Sequence, residues 1–220
     1  MVRQARSEAT RRRILDAAIE LYSEVGFAAT SLGDIIERAE LTKGALYYHF
    51  ESKESVASAV IEEAAAEVFH TIDTICSAPS PAMENLIHSS FAVADLVTTD
   101  LKVRTGIQVA RGLGEFNDVV VQSYKGALDL AALQLTAAEA DGDLRSALPS
   151  DAVAETLLAA YLGAELLTGP TAVSADLFRR LTRIWDIMLP AIADPKALPF
   201  LRQFLSREAL RHGQSTLQLE

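Results

Sequence analysis

Apolar residues recur along this chain at three- and four-residue intervals, and no stretch sustains alternation with a period of two, a pattern that predicts an all-α protein. The first segment sets Ile14, Ala18, Leu21, Tyr22 and Val25 on one face. Ser7 is placed to cap it and Gly26 to supply a left-handed stop, which predicts a helix over residues 7–25. Ser31 followed by Asp34 has the form of a capping box at the head of SLGDIIERAE, with Ile35, Ile36 and Ala39 facing inward. Thr42 caps a third helix, TKGALYYHF, whose Leu46 and Phe50 fall four residues apart on one face. Ser52, Lys53, Glu54 and Ser55 start a longer helix that reaches about Ser77, and Pro79 and Pro81 mark the joint behind it. Further helices are expected near 82–98, 101–112, 117–140, 150–168, 174–189 and 196–211. The breaks are Gly112 with Gly114, Asp141 with Gly142, Gly169 with Pro170, Pro190 and Pro195, and a polar tail follows Gly213.

Two short helices joined by a tight turn and propped by a longer one make a tri-helical helix-turn-helix, in which the second short helix enters the major groove of DNA. Such a helix needs small or polar residues on its outer face at the N-terminal end, where backbone meets bases and phosphates, and apolar residues that lock it from within. Thr42, Lys43 and Gly44 meet the first demand; Ala45, Leu46 and Phe50 meet the second. Thr42 offers a hydroxyl and Lys43 a cation for a guanine edge or a phosphate, while Tyr47, Tyr48 and His49 offer further hydrogen-bond donors. Lys53, at the next helix start, is within phosphate reach. Taken singly, the tyrosines and His49 equally suit a half-buried aromatic cluster and a surface histidine.

Composition changes this picture little, but charge sharpens it. The net charge of -10 argues at first against a polyanionic partner. Residues 1–53, however, carry eight Lys/Arg and eight Asp/Glu, so the excess of acid belongs wholly to the rest of the chain. Arg3, Arg6, Arg11, Arg12 and Arg13 face a single acid, Glu8, among the first thirteen residues. A basic arm on an acidic body suits contact with DNA by one end; Arg11, Arg12 and Arg13 would also suit a merely solvated helix face.

The run from Thr42 to Glu54, TKGALYYHFESKE, preceded by RRRILDAAIELYSEVGFAATSLGDIIERA, closely resembles the DNA-binding domain of TetR-family regulators over about residues 8–55. By that resemblance Thr42, Tyr47, His49 and Lys53 would hold phosphates, and Lys43, Gly44 and Tyr48 would face bases. It implies a helix-turn-helix domain over 1–53 and a larger helical ligand-binding and dimerisation domain over 54–220, with the last two long helices forming the dimer interface. VRTGIQVA at 103–110 and LPAIADPKAL at 189–198 are similar to the γ-butyrolactone-receptor branch. That branch carries a pocket tryptophan that the comparable stretch SYKGALDL lacks, Tyr124 being the nearest aromatic, so γ-butyrolactone is not carried over as the ligand. The function implied is a homodimeric repressor on palindromic double-stranded operator DNA, released by a small apolar or amphipathic effector. The alternative is a ligand-sensing or partner-binding helical module whose DNA contacts are vestigial.

Phe69, Phe91, Tyr124, Trp185 and Met188 are candidates for lining the effector pocket, with Met83, Phe116 and Phe178 as further apolar neighbours; aromatic and Met residues at helical spacing are more often plain core. Ala159, Ala160, Gly163 and Ala164 permit close helix approach, within the chain or between chains. One cysteine, Cys76, excludes an intrachain disulfide framework, and four scattered histidines give no zinc spacing. No Ser-His-Asp arrangement or Gly-rich phosphate loop stands in a supporting context, so neither enzymatic activity nor a cofactor is expected. No apolar run of about 18 residues and no secretory pattern occurs, which points to the cytoplasm and away from membranes.

Overall fold

The computed structural model describes residues 2–114, 117–145, 147–168 and 175–215, which form an all-α protein of ten helices. These are α1 (Val2–Val25), α2 (Leu32–Arg38), α3 (Lys43–His49), α4 (Lys53–Cys76), α5 (Ala82–Thr99), α6 (Leu101–Leu113), α7 (Asp118–Ala140), α8 (Ser150–Leu167), α9 (Ala175–Ile192) and α10 (Leu198–Ser215). Phe116 and the Gly169 and Pro170 break lie outside the described residues. Among those described, no helix is long and apolar enough to cross a membrane.

Three boundaries differ from expectation, one of them the end of α10, which runs past Gly213 to Ser215. Ser7 does not cap α1, which begins at Val2. Nothing between Val2 and Ser7 breaks a helix, and Gln4, Ala5 and Arg6 all favour one, so the serine is absorbed. Pro190 does not end α9, which runs on to Ile192. A proline in the last turn forgoes one hydrogen bond without stopping the chain, and the carbonyls exposed there find a donor in Arg145. Its guanidinium bonds to the carbonyls of Ala193 and Pro190, both at 2.9 Å, while its backbone N–H donates to that of Ile192.

The helices gather into two compact units, Met1–Val68 with Thr99–Ser123 and Phe69–Thr98 with Tyr124–Glu220. In the first, Ile14, Leu15, Ala18 and Tyr22 of α1 meet Ile35 and Leu46 of the two short helices and Phe50 just after α3, and Val56 and Val60 of α4 with Val109 of α6 close the core. Gly106 of α6 allows the closest approach, because a Cβ there would overlap that of Ala64 and stand 3.2 Å from the Val60 carbonyl. In the second, Met83, Ile87 and Phe91 of α5 pack with Leu135, Leu181, Trp185, Leu189 and Leu205. Full burial of such side chains contributes about 1.5–3 kcal/mol each.

Candidate nucleic-acid interface

The recognition segment is built by two caps and two left-handed turns, at Gly26 and Glu40. α1 stops at Gly26, φ 85°, whose N–H reaches the Tyr22 carbonyl. Ser31 then caps α2 reciprocally with Asp34: the serine hydroxyl oxygen accepts from the Asp34 N–H, and the Asp34 carboxylate accepts from the Ser31 N–H at 2.7 Å. The bonds that the Ser31 N–H and the Ser31 hydroxyl donate to it, at 2.7 and 2.8 Å, hold the Asp34 carboxyl below its ordinary range. α2 is stapled to α1 by Arg38, whose guanidinium reaches Glu24 at 2.9 Å and Glu20 at 3.1 Å. The i, i+4 spacing of Glu20 and Glu24 is the local signal for that pairing. Between α2 and α3 the chain turns through Glu40 at φ 49°, a left-handed residue without glycine's freedom, and Arg13 donates to the Ala39 carbonyl at 2.6 Å beside it.

α3 then presents two faces. Leu46 and the following Phe50 are buried, as their spacing predicted, while Thr42, Lys43, Gly44, Tyr47 and Tyr48 are exposed. The Thr42 hydroxyl oxygen accepts from the Ala45 N–H, which leaves its proton to donate outward. A Cβ at Gly44 would meet nothing within 4 Å, so packing inside the chain does not demand glycine there. Lys43 Nζ stands 5.7 Å from the centre of the Tyr47 ring. Tyr48 is 73% exposed, and the half-buried His49 sits edge-on to it with ring centres 5.0 Å apart. Six of the seven residues singled out for DNA thus lie on or beside one short helix. Lys53 is placed differently, its ammonium turned into the chain toward the carbonyls of Phe27, Ala28 and Thr30. Of the basic run in α1, Arg11 and Arg12 both pair with Glu63 of α4, at 3.3 and 3.0 Å.

The pocket candidates divide. Phe91, Trp185 and Met188 belong to one apolar core, with Trp185 Nε1 donating to Ser90 Oγ at 2.9 Å. Phe69 packs on Gly126 of α7, where a Cβ would stand 3.1 Å from its Cζ, and Tyr124 is 39% exposed. A buried polar group went unnoticed in the sequence. Glu208 of α10, 3% exposed, accepts from or pairs with His88 of α5 at 2.7 Å and lies 3.7 Å from His212. The His212 ring stacks with Phe91 and Phe178 at 5.6 and 5.1 Å. Its local signals are Glu208 with His212, four apart on α10, and His88 with Phe91, three apart on α5; no local spacing joins the three helices that carry it.

Residues 14–60 match the family description "Bacterial regulatory proteins, tetR family", and residues 80–194 match "Tetracyclin repressor-like, C-terminal domain". The A-factor receptor protein of Streptomyces griseus is 26% identical over 205 residues, 92% of this chain and 70% of that one. A crystal structure of a gamma-butyrolactone receptor (ArpA like protein) superposes with a TM-score of 0.76 at 24% identity, over 94% of this chain and 99% of that one, a likeness of fold. The TetR-family protein CprB from Streptomyces coelicolor, solved in complex with its operator sequence, gives a TM-score of 0.74 at 25% identity over 94% of this chain and 99% of that one. The segment that folds as a capped, outward-facing α3 is therefore within the segment matched to bacterial regulatory proteins, the second matched region follows it along the chain, and the chain belongs to the TetR family of bacterial regulatory proteins.

Proposed function

We propose that the chain is a homodimeric repressor that docks α3 in the major groove of a palindromic operator and is released by a small apolar or amphipathic molecule. The observation that carries this reading is the two-faced α3, exposed at Thr42, Lys43, Gly44, Tyr47 and Tyr48 over a buried Leu46. Thr42, Tyr47, His49 and Lys53 hold phosphates; Lys43, Gly44 and Tyr48 face base edges. Residues 1–53 are the docking module and residues 54–220 take the effector, with Phe69, Phe91, Tyr124, Trp185 and Met188 as its candidate contacts. The activity is binding and release without turnover, in the cytoplasm where operators are found.

The dimer is supported by α8 and α9. Ala159 is exposed, a Cβ at Gly163 would meet nothing within 4 Å, and Leu166, Leu167 and Ile187 are 64%, 65% and 73% exposed. A second copy packing there places two recognition helices on a two-fold axis, which is what a palindrome requires. Release follows if the effector prefers a state whose helix spacing mismatches the operator, by no more than its differential affinity for the two states.

The test is a pair of substitutions. Tyr47→Phe removes one hydroxyl and is expected to weaken binding to all duplexes alike by about 0.5–1.5 kcal/mol. Lys43→Ala is expected to cost about 1–3 kcal/mol on the preferred duplex and to flatten discrimination among bases. Gel shifts against a preferred and a scrambled duplex measure both; wild-type affinity in both variants contradicts the docking geometry.

A further inference from the structure

The side chain that opens α7 also holds a second helix. The Asn117 carboxamide oxygen accepts from the Val119 N–H at 3.0 Å and from the Val120 N–H at 3.3 Å, which caps the first turn of α7. Its Nδ2 donates to the Ser58 hydroxyl of α4 at 2.8 Å. A primary amide carries an acceptor and a donor on one rigid plane, so one residue makes both bonds at once. Three residues on, Val120 is 2% exposed and belongs to the core that holds Val56 and Val60 of α4 and Leu46 of α3. Ser58 lies between those two valines along α4. The head of α7 is therefore fastened to the stretch of α4 that shares its core with the recognition helix.

α7 does not stop in that unit. Its residues up to Ser123 belong to the first compact unit and those from Tyr124 to the second, with no break in the helix between them. From Val121 to Gln134 no residue of α7 is buried, and the helix is gripped again only at Leu135 and Ala138. Its body is thus loosely held where Tyr124 and the Phe69 ring, which packs on Gly126, stand as candidate effector contacts. A shift of that body reaches the head, because a helix moves as a rigid element. At the head, the apolar contact of Val120 tolerates sliding. The hydrogen bond to Ser58 does not, since it weakens steeply with angle and distance.

We infer that Asn117 is a positioning residue for regulated docking, tying the set of α7 through Ser58 to α4 and so to the frame in which α3 is presented. This rests on the proposed docking and release, and the experiment separates them. Coupling between two sites is reciprocal, so DNA on α3 acts back on α7 and no effector is needed to see it. Asn117→Ser keeps a capping hydroxyl but is too short to reach Ser58 as well. Ser58→Ala removes the acceptor and leaves the cap in place. Asn117→Asp still caps, and its carboxylate accepts from the Ser58 hydroxyl, so it restores the link with donor and acceptor exchanged.

Amide hydrogen exchange of the full-length chain and of the three variants would be followed with and without one duplex selected from a random pool. In the unaltered chain the duplex is expected to slow exchange at residues 42–49 and, through the link, at residues 124–140. In Asn117→Ser and in Ser58→Ala the slowing at 42–49 stays while that at 124–140 falls about fivefold, the effect of losing one hydrogen bond. Asn117→Asp keeps both. Slowing at 124–140 that persists undiminished in Asn117→Ser and Ser58→Ala would overturn the inference, as would its failure to return in Asn117→Asp, which would mark a merely structural asparagine. Slowing at 42–49 alone in the unaltered chain would overturn the inference and leave the docking reading intact. Should Asn117→Ser fail to fold, Ser58→Ala decides between the same outcomes. Absence of slowing at 42–49 in the unaltered chain would overturn the docking reading, and the inference with it.

Discussion

Glu40 shows how much a single residue in the recognition turn is asked to tolerate. At φ 49° it holds the left-handed conformation between α2 and α3, a region that costs an L-residue about 1–2 kcal/mol and that glycine enters without a Cβ penalty. Its carboxylate lies 3.9 Å from Arg13 with the side chain 88% exposed, a pairing worth about 0–1 kcal/mol. Glu40→Gly is therefore expected to raise stability by about 0.5–1 kcal/mol after the entropy of the glycine is deducted, visible as a higher urea midpoint at unchanged slope. A lower midpoint would mean that the Arg13 pairing outweighs the backbone strain. At this scale, what could be read from sequence was what depends on near neighbours. Ser31 with Asp34, Thr42 with Ala45, and Gly26 after Val25 are all contacts within four residues, and each was legible. The contacts of Lys53 within the chain were not, because the carbonyls it meets lie twenty-three to twenty-six positions earlier in the chain.

Among the elements, α10 carries a pH dependence that follows from where His212 sits. Burial against Phe91 and Phe178 is the largest influence and lowers the His212 pKa below its ordinary value. Asp95 of α5 and Glu208 of α10 pull the other way, and His88 of α5 and Arg211 of α10 add to the lowering. A folded state that prefers the neutral imidazole gains stability that is fully present above the unfolded pKa of about 6.5 and is lost as pH falls below it toward the folded value. Thermal unfolding of the full chain is thus expected at a lower temperature at about pH 5.5 than at about pH 7.5. In His212→Phe, which keeps an aromatic ring in the stack, that difference should shrink; an undiminished pH dependence would place its origin in other groups. The helix pattern itself was readable throughout, since amphipathic period and capping residues fix where helices exist. Their ends were less so. α1 extends back to Val2 and α9 forward to Ile192, the latter because Arg145, forty-five positions away from Pro190, supplies donors that no local rule anticipates.

For the molecule as a whole, charge distribution sets the mode of approach. The net charge of -10 arises beyond residue 53, so the bulk of the chain repels a polyanion and only the helix-turn-helix end is acceptable to it. Within that end the cations are largely committed to architecture: Arg11 and Arg12 to Glu63, Arg38 to Glu20 and Glu24, Arg13 to the Ala39 carbonyl, Lys53 to three carbonyls. Arg11, Arg12 and Arg13 each meet a partner on another element, Glu63 of α4 for the first two and the Ala39 carbonyl for the third, and the side chains of all three stay solvent-exposed. The DNA-reading end was legible because its residues are contiguous and must satisfy local capping, packing and exposure together. The effector pocket was not, because its candidates are apolar residues at helical spacing, and Phe91 and Trp185 look the same in sequence whether they line a pocket or fill a core. The central claim, that two copies of α3 read a two-fold symmetric duplex, is tested most directly by selecting bound DNA from a random duplex pool with the full-length chain. An enriched inverted repeat with half-site centres about 10 base pairs apart, or a multiple of that spacing, is the predicted result; no enrichment, or an enriched site without two-fold symmetry, would contradict it.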